Sequence, residues 1–270
     1  MCFLPEGHTL HRIARLHQER FAGGAVRVSS PQGRFAEGAA MVDGQVLESA
    51  EAVGKHLLHH YASGLTVHVH LGLYGTFSEA ELPMAAPVGQ VRMRMLGAAT
   101  DFGTDLRGPT ACEVLLPPEV DALTARLGAD PLRPDADHER AGARIRRSRR
   151  AIGALLMDQA LIAGVGNVYR AEVLFRHGIS PFRPGTSVSA AEWDALWADL
   201  VALMPVGVAT GRMHVVRPEH DTGAPSYAQD RPRTYVYRRQ GEPCRVCATP
   251  IAHGVMDGRN LFWCPTCQPR

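Results

Sequence analysis

Apolar residues recur at helical spacing near the start of the chain. Leu10, Ile13, Ala14, His17 and Phe21 share one face, so Thr9 to Phe21 is expected to be a helix ended by Gly23-Gly24. Beyond it the period changes. Short apolar runs at Val26–Val28, Val46–Ala52, His56–Tyr61, Leu65–His70, Tyr74–Phe77, Val91–Leu96 and Glu113–Leu116 are separated by glycines and prolines. Many short strands of this kind predict a sandwich or barrel. In Thr66-Val67-His68-Val69-His70 the alternation puts Val67 and Val69 on one face. A helix from Glu119 to Leu127 follows Pro117-Pro118, and Asp130 to Asp135 reads as a linker.

The second half changes to helical periodicity. Ile152, Leu155, Leu156 and Gln159 lead into a glycine turn over 162–167, then a helix from Tyr169 to His177 stopped by Gly178 and Pro181. Ser189 to Leu203 is a further helix whose Trp193, Leu196, Trp197 and Leu200 form a core stripe. Arg217 to Arg233 reads as an irregular loop, and Thr234 to Arg238 as a strand. The expected class is α+β. An N-terminal helix and β-sandwich occupy 1–130, a helical domain 136–233, and a small terminal domain 234–270.

Composition narrows the class. The 270 residues are 45% hydrophobic and 21% charged, with no run approaching the roughly 18 apolar residues of a membrane span, so a cytoplasmic protein without a membrane partner is expected. Net charge is only +2, but its distribution is uneven. Arg144 to Arg150 holds five arginines and no acid; Arg231 to Arg270 holds seven against Glu242 and Asp257. Such blocks are either solvated faces or phosphate-binding surfaces. Of 29 basic residues, Lys55 is the sole lysine. An ammonium is compact and can release a proton where a guanidinium cannot, so Lys55 is either a chemical choice or an accident of an arginine-rich composition. It lies in Val53-Gly54-Lys55-His56-Leu57, at a strand end where glycine permits a tight bend.

Four of the six cysteines form Cys244-x2-Cys247-x16-Cys264-x2-Cys267, the spacing of two metal-binding knuckles, which predicts one structural Zn²⁺. Four thiolates leave no open coordination position. Between the knuckles, a hairpin over 258–263 would present Arg259 at its tip, where a guanidinium can clamp a phosphate. His56, His59, His60, His68 and His70 show neither ligand spacing nor regular carboxylate pairing and read as polar-face residues. Leu73 and Tyr74, between Gly72 and Gly75, are either core or a wedge for the gap left by an extruded base.

Taken jointly, Pro5-Glu6-Gly7-His8-Thr9-Leu10, Gly54-Lys55-His56-Leu57, Gly164-Val165-Gly166-Asn167-Val168-Tyr169-Arg170, Gly241-Glu242-Pro243-Cys244 and Gly258-Arg259-Asn260 before Cys264-Pro265-x-Cys267 resemble the formamidopyrimidine-DNA glycosylase/endonuclease VIII family of base-excision repair enzymes. The resemblance covers the chain from Pro5, and the opening is most similar to actinobacterial members of the endonuclease VIII branch. It implies a bifunctional glycosylase/lyase acting on double-stranded DNA with damaged bases or abasic sites, as a monomer. Pro5 would be the nucleophile that forms a Schiff base at C1′, Glu6 the proton donor, and Lys55 a proton carrier and point charge. Arg259 would join this catalytic set and, with Asn167 in a helix–two-turns–helix unit, hold phosphates. Leu73 and Tyr74 would fill the void, and β,δ-elimination would follow.

Two departures bear on these roles. Thr9 stands where many members carry a second acid, and Asp105 to Pro109 lacks the phenylalanine of the formamidopyrimidine branch, which favours oxidised pyrimidines as substrates. A proline within a chain has no free amine, whereas Met1-Cys2-Phe3-Leu4 precede Pro5; initiation at Leu4 and removal of its methionine is the expectation that reconciles them. The competing expectation is an inactive protein that binds damaged DNA or abasic sites.

Overall fold

The structure is a computed structural model and describes residues 5–229 and 231–270. The expected start at Pro5 concerns Met1 to Leu4, which lie outside the described residues. The chain divides into two compact units, the first ending at Arg126 and the second running from Leu127 to Arg270.

In the first unit α1 (Gly7–Phe21) precedes β1 (Val26–Ser29), α2 (Ala36–Val42), β2 (Leu47–Val53), β3 (His56–Tyr61), β4 (Thr66–His70), β5 (Thr76–Glu81), β6 (Val91–Gly97), β7 (Phe102–Arg107), β8 (Ala111–Leu115) and α3 (Pro117–Thr124). The strands form two antiparallel four-stranded sheets, ordered β1-β6-β7-β5 and β2-β3-β4-β8. Their apolar faces and α1 enclose one core containing Leu10, Phe21, Val26, Leu57, Val67, Val69, Met93, Met95 and Leu106. This is the α+β sandwich expected from the strand pattern.

Two elements were not legible beforehand. α2 is one short helix. β7 is rich in poor strand formers, Gly103 and Asp105, yet pairs with both β5 and β6. Its Asp105 is buried and takes a two-pronged ion pair from Arg94 at 2.7 and 2.8 Å, with Arg107 at 3.0 Å. That tertiary pairing outweighs local propensity.

Helix α1 begins two residues before the expected Thr9 and packs on β2 and β3. Its direction is fixed at two levels. Gly23 N–H donates to the Leu47 carbonyl at 2.7 Å, and Gln18 Oε1 accepts from Ala50 N–H at 2.7 Å, so α1 runs antiparallel to β2. From Gln18 back to Glu6 the helix covers about 18 Å. From Ala50 forward to Lys55 the strand covers about 17 Å. Pro5 and Glu6 therefore arrive at the sheet end that carries Lys55.

The second unit contains α4 (His138–Arg146), α5 (Ile152–Leu155), α6 (Asn167–Arg176), α7 (Ala190–Thr210), β9 (Ala252–Met256) and β10 (Arg259–Trp263). Asp130 is buried and Ala129 bridges Ile162, so the stretch read as a linker is held within this unit. α7 carries a full capping box at Ser189 and Glu192 and buries Trp193, Leu196, Trp197 and Leu200, the expected stripe. By length and composition α7 could cross a bilayer; here Arg183 and Arg176 hold its Glu192 and Asp199.

Thr234 to Arg238 is not a strand. The N–H groups of Tyr235, Val236 and Tyr237 donate to the buried Glu172 carboxylate at 2.7, 3.0 and 2.9 Å. A side chain from α6 thus replaces the neighbouring strand that β-propensity anticipated. Burial pushes the Glu172 carboxyl up from its ordinary range, against the pull of these three N–H groups and Arg239.

Candidate functional site

The first unit gathers its chemistry at one end of the β2-β3-β4-β8 sheet. Gly54 and Lys55 are the two-residue loop joining β2 to β3, since Val53 pairs with His56. Gly54 has φ +60° and Lys55 has no positive φ, the pattern of a type II′ turn that only glycine enters without strain. His56 pairs with His70 across to β4, so the loop after β4 leaves from the same end. Glu6 is buried at the N-cap of α1, and its carbonyl accepts from Thr9 N–H at 2.9 Å.

The loop after β4 is a rigid platform. Leu71 is buried, and Gly75 N–H donates to its carbonyl at 3.0 Å. At Gly72 (φ +66°) a Cβ would lie 1.8 Å from Thr110 Oγ1. The loop is closed below by these contacts, while Leu73 is 40% and Tyr74 74% exposed. Core packing, one of the two readings of this pair, is thereby excluded.

Histidine is the second signature of this unit. Cross-strand partners share a face, so His56, Leu58, His60, Thr66, His68, His70 and Glu113 lie on one side of the sheet, opposite Leu57, Val67, Val69 and Cys112 in the core. The reading of all five histidines as polar-face residues is corrected for His59, which pairs with Val67 on the core face and is fully buried, and two of the others have carboxylate partners. His68 Nδ1 meets Glu113 Oε1 at 2.9 Å, and His60 Nε2 meets Glu51 Oε1 at 3.2 Å. His68 Nε2 meets His56 Nδ1 at 2.9 Å. Burial, then His68, His70, Arg126 and Lys55, hold His56 down at about 3. On the opposite face His17 and His59 form a buried pair at 2.9 Å. Burial and the nearby Arg20 hold His17 down to about 3.

In the second unit the glycine turn is stapled by Gln159, the last residue of the run that leads into it. Gln159 Oε1 accepts from Gly164 N–H, and its Nε2 donates to the Met157 and Val165 carbonyls, each at 3.0 Å. Gly166 is the N-cap of α6 and Asn167 its first residue, so Asn167 sits where helix N–H groups face outward. Arg170, fully buried, donates to Asn167 Oδ1, to the Asn260 carbonyl at 2.8 Å and to the Gly153 carbonyl at 3.3 Å. One guanidinium therefore joins the α6 turn to β10. Arg170 closes the motif that begins at Gly164, but its role inside a helix buried from Val168 to Phe175 was not readable from the sequence.

Strands β9 and β10 form the expected hairpin, with Met256 paired to Arg259. Asp257 and Gly258 at the tip both have positive φ, as a type I′ turn requires. Arg259 is exposed beside that tip, and Arg150 fastens the tip by pairing with Asp257 at 3.2 Å and Asp158 at 3.0 Å. The Sγ atoms of Cys244, Cys247, Cys264 and Cys267 all lie within 4.8 Å of one another. A tetrahedral zinc thiolate site, with Zn–S near 2.3 Å, needs sulfurs about 3.8 Å apart; Cys244–Cys267 and Cys247–Cys264 are at 3.9 and 3.4 Å. Val246 N–H points at Cys244 Sγ (3.5 Å) and Cys267 N–H at Cys264 Sγ (3.4 Å). The donor set fits one structural zinc ion.

Family comparisons agree with this geometry. Residues 4–112 match the formamidopyrimidine-DNA glycosylase N-terminal domain, 127–217 the formamidopyrimidine-DNA glycosylase H2TH domain, and 241–270 the zinc finger found in FPG and IleRS. The chain belongs to the formamidopyrimidine-DNA glycosylase family. Within that family it is 63% identical over 269 residues to endonuclease 8 1 of Mycobacterium tuberculosis, covering 98% of this chain and 100% of that protein. It is 34% identical to the probable endonuclease 8 2 of Streptomyces coelicolor, covering 98% and 94%. The structure of the MutM (Fpg) protein from Thermus thermophilus superposes with a TM-score of 0.77 at 28% identity, covering 98% of each chain. That of Lactococcus lactis formamidopyrimidine-DNA glycosylase bound to AP-site DNA gives 0.80 at 20% identity, covering 98% of this chain and 100% of that one, a likeness of fold.

Proposed function

We propose that the protein is a bifunctional DNA glycosylase/AP lyase of base-excision repair that uses Pro5 as its nucleophile. The observation that carries the reading is the convergence of α1's start and the chain's sole lysine at one sheet end, beside a platform exposing Leu73 and Tyr74. A secondary amine at Pro5 attacks C1′ of the damaged nucleotide, and the base leaves with the bonding electrons of the glycosidic bond and takes up the proton that the amine gives up. Glu6 gives its proton to the sugar ring oxygen as the C1′–O bond opens, leaving an iminium ion. Lys55 approaches the sugar ring or its flanking phosphate as a proton carrier and point charge while the base departs, and β,δ-elimination then releases the sugar from both flanking phosphates.

Asn167 and Arg259 hold phosphates around the lesion, and Leu73 and Tyr74 occupy the space of the everted nucleotide. Bound zinc supplies no chemistry; the four cysteines would hold it to keep the Arg259 hairpin rigid. Oxidised pyrimidines in double-stranded DNA are the favoured substrates, and the protein acts as a monomer in the cytoplasm, associated with the nucleoid when on DNA.

Borohydride trapping on a duplex with an oxidised pyrimidine tests this, using the full chain beside one beginning at Pro5. A covalent adduct on Pro5, confirmed by peptide mass, is expected with the chain beginning at Pro5, because a proline has a free amine only when it is terminal. Glu6→Gln and Lys55→Ala should abolish base removal while leaving duplex binding within about twofold. No adduct with either chain would overturn the enzymatic reading in favour of a binding protein.

A further inference from the structure

We propose that an open cavity on one face of the β9–β10 hairpin is a second phosphodiester site, with Arg238 as its anchor. The inference rests on the reading of the protein as an enzyme that acts on DNA. The cavity measures about 590 Å³, and Tyr227, Arg238, Gln240, Glu242, His253 and Asn260 are among its lining residues, all within the second unit. Arg239 N–H donates to the Val236 carbonyl at 3.1 Å, closing a tight turn with Arg238 at its third position. Arg238 has φ +56° and Tyr237 no positive φ, the type II pattern whose third position glycine normally fills. An arginine held there is strained, and strain of this kind points to a task for the side chain.

That side chain is exposed, and its guanidinium lies 5.8 and 5.7 Å from the ring centroids of Tyr227 and Tyr237. Among the described residues it has no carboxylate or carbonyl partner. Its neighbours differ: Arg233 is paired to Asp221, and Arg239 to Glu242 at 2.8 Å. The rest of the lining is rich in donors. His253 Nε2 lies 3.2 Å from Asn260 Oδ1. An amide oxygen only accepts, so the imidazole donates, and the Asn260 amide offers its two N–H groups elsewhere. Gln240 brings a second amide, and the carboxylate of Glu242 is already held by Arg239.

One uncommitted guanidinium beside two amides suits the anionic oxygens of a backbone phosphodiester. Side chains alternate along β10, so Asn260 faces the side of the hairpin opposite Arg259. The phosphodiester at Arg238 is therefore a different one from that assigned to Arg259, and the hairpin holds the DNA backbone from both faces.

Binding of the full-length protein to a duplex with a reduced abasic site, followed against salt, tests the site. Arg238→Gly removes the guanidinium and the strain together. Affinity should fall about eightfold at 0.1 M salt and the salt slope by about 0.9, the counterion release of one phosphate, with no drop in melting temperature. Arg238→Lys keeps the charge and should keep the slope. Single phosphates replaced by neutral methylphosphonates should give one position that weakens the unsubstituted protein but costs Arg238→Gly nothing, distinct from the position coupled to Arg259. An unchanged slope in Arg238→Gly, an equal loss in Arg238→Lys, or coupling of both arginines to one phosphate overturns the second site. A lowered melting temperature in Arg238→Gly makes the residue part of the turn's structure and overturns it too. Unchanged binding in Arg259→Ala as well would overturn the DNA-binding reading of the hairpin itself, which separates the two failures.

Discussion

In the unit ending at Arg126, histidines are the most frequent of the polar side chains held out of water: His8, His17, His59 and His68, beside Glu6, Thr66, Thr104 and the Asp105–Arg94 pair. In the unit from Leu127 they include Arg170, Glu172 and Arg239, with a cluster of four cysteines. Both solutions satisfy polar groups that burial would otherwise penalise. They differ in what they can do afterwards. Imidazoles change charge within a few pH units of neutrality, so a histidine network can hold or pass protons. Guanidinium groups keep their charge, and a zinc thiolate site does not rearrange. The buried histidines of the first unit stay neutral until acid charges them, whereas the second unit keeps its buried charges and its shape.

The largest test of that contrast is metal removal. Chelation, or Cys264→Ser, should collapse the β9–β10 hairpin and its knuckles, because structural zinc contributes on the order of 10 kcal/mol in isolated fingers. Fluorescence of Trp263 on β10 should report the loss, and DNA affinity should fall with it. The thermal transition of the first unit should persist; its disappearance would break the comparison.

Next in size is Glu172→Gln. An amide offers the three N–H groups of residues 235–237 one oxygen in place of a carboxylate, at a cost of about 3 kcal/mol. Urea unfolding should show the loss in the second unit's transition, and an unchanged midpoint would deny the carboxylate its structural part.

Acid sharpens the contrast further. His17 and His59 have folded values far below the ordinary histidine value of 6.5, with burial the leading cause for both. The unfolded chain therefore binds more protons as pH falls below about 6.5. Stability is full above that value and is lost progressively on descent towards 3, by at most about 1.4 kcal/mol per pH unit for each ring. His59→Gln should flatten this slope in the first unit's transition. The arginine-held interior of the second unit should show no counterpart between pH 7 and 5.5.

The smallest structural effect belongs to the platform. Tyr74→Ala removes a side chain 74% exposed, so stability should change by less than about 0.5 kcal/mol. Excision from duplex should nonetheless slow about tenfold, with less effect when the target base is unpaired. Equal slowing on both would make Tyr74 a general contact and not a filler of the vacated stack.

Sequence legibility follows the range of the forces involved. β3 was readable to the residue, His56 to Tyr61, because a tight turn and an apolar run are local signals. The stripe of α7 and the cysteine knuckles were readable for the same reason. β7 was hidden because Asp105 is stabilised by Arg94 on the adjacent strand. The segment 234–238 was misread because its partner is a carboxylate more than sixty residues away. His68 and Glu113 were each visible, but their pairing depends on a register between β4 and β8 that periodicity alone does not supply. Pro5, Glu6 and Lys55 were picked out by the family resemblance; that α1 runs against β2, bringing them to one sheet end, came only from the fold.

The two-residue turn at Gly54-Lys55 also sets how the gene can be edited. Side chains alternate across a strand, so one added codon there would slip β2 against β3 and exchange the outward histidines for core leucine and valine positions. No such exchange threatens the exposed stretch Ala86-Pro87-Val88-Gly89, which lies between β5 and β6 outside any ladder. A fluorescent tag or affinity epitope belongs there, and a reading frame lengthened at residue 54 should yield insoluble protein.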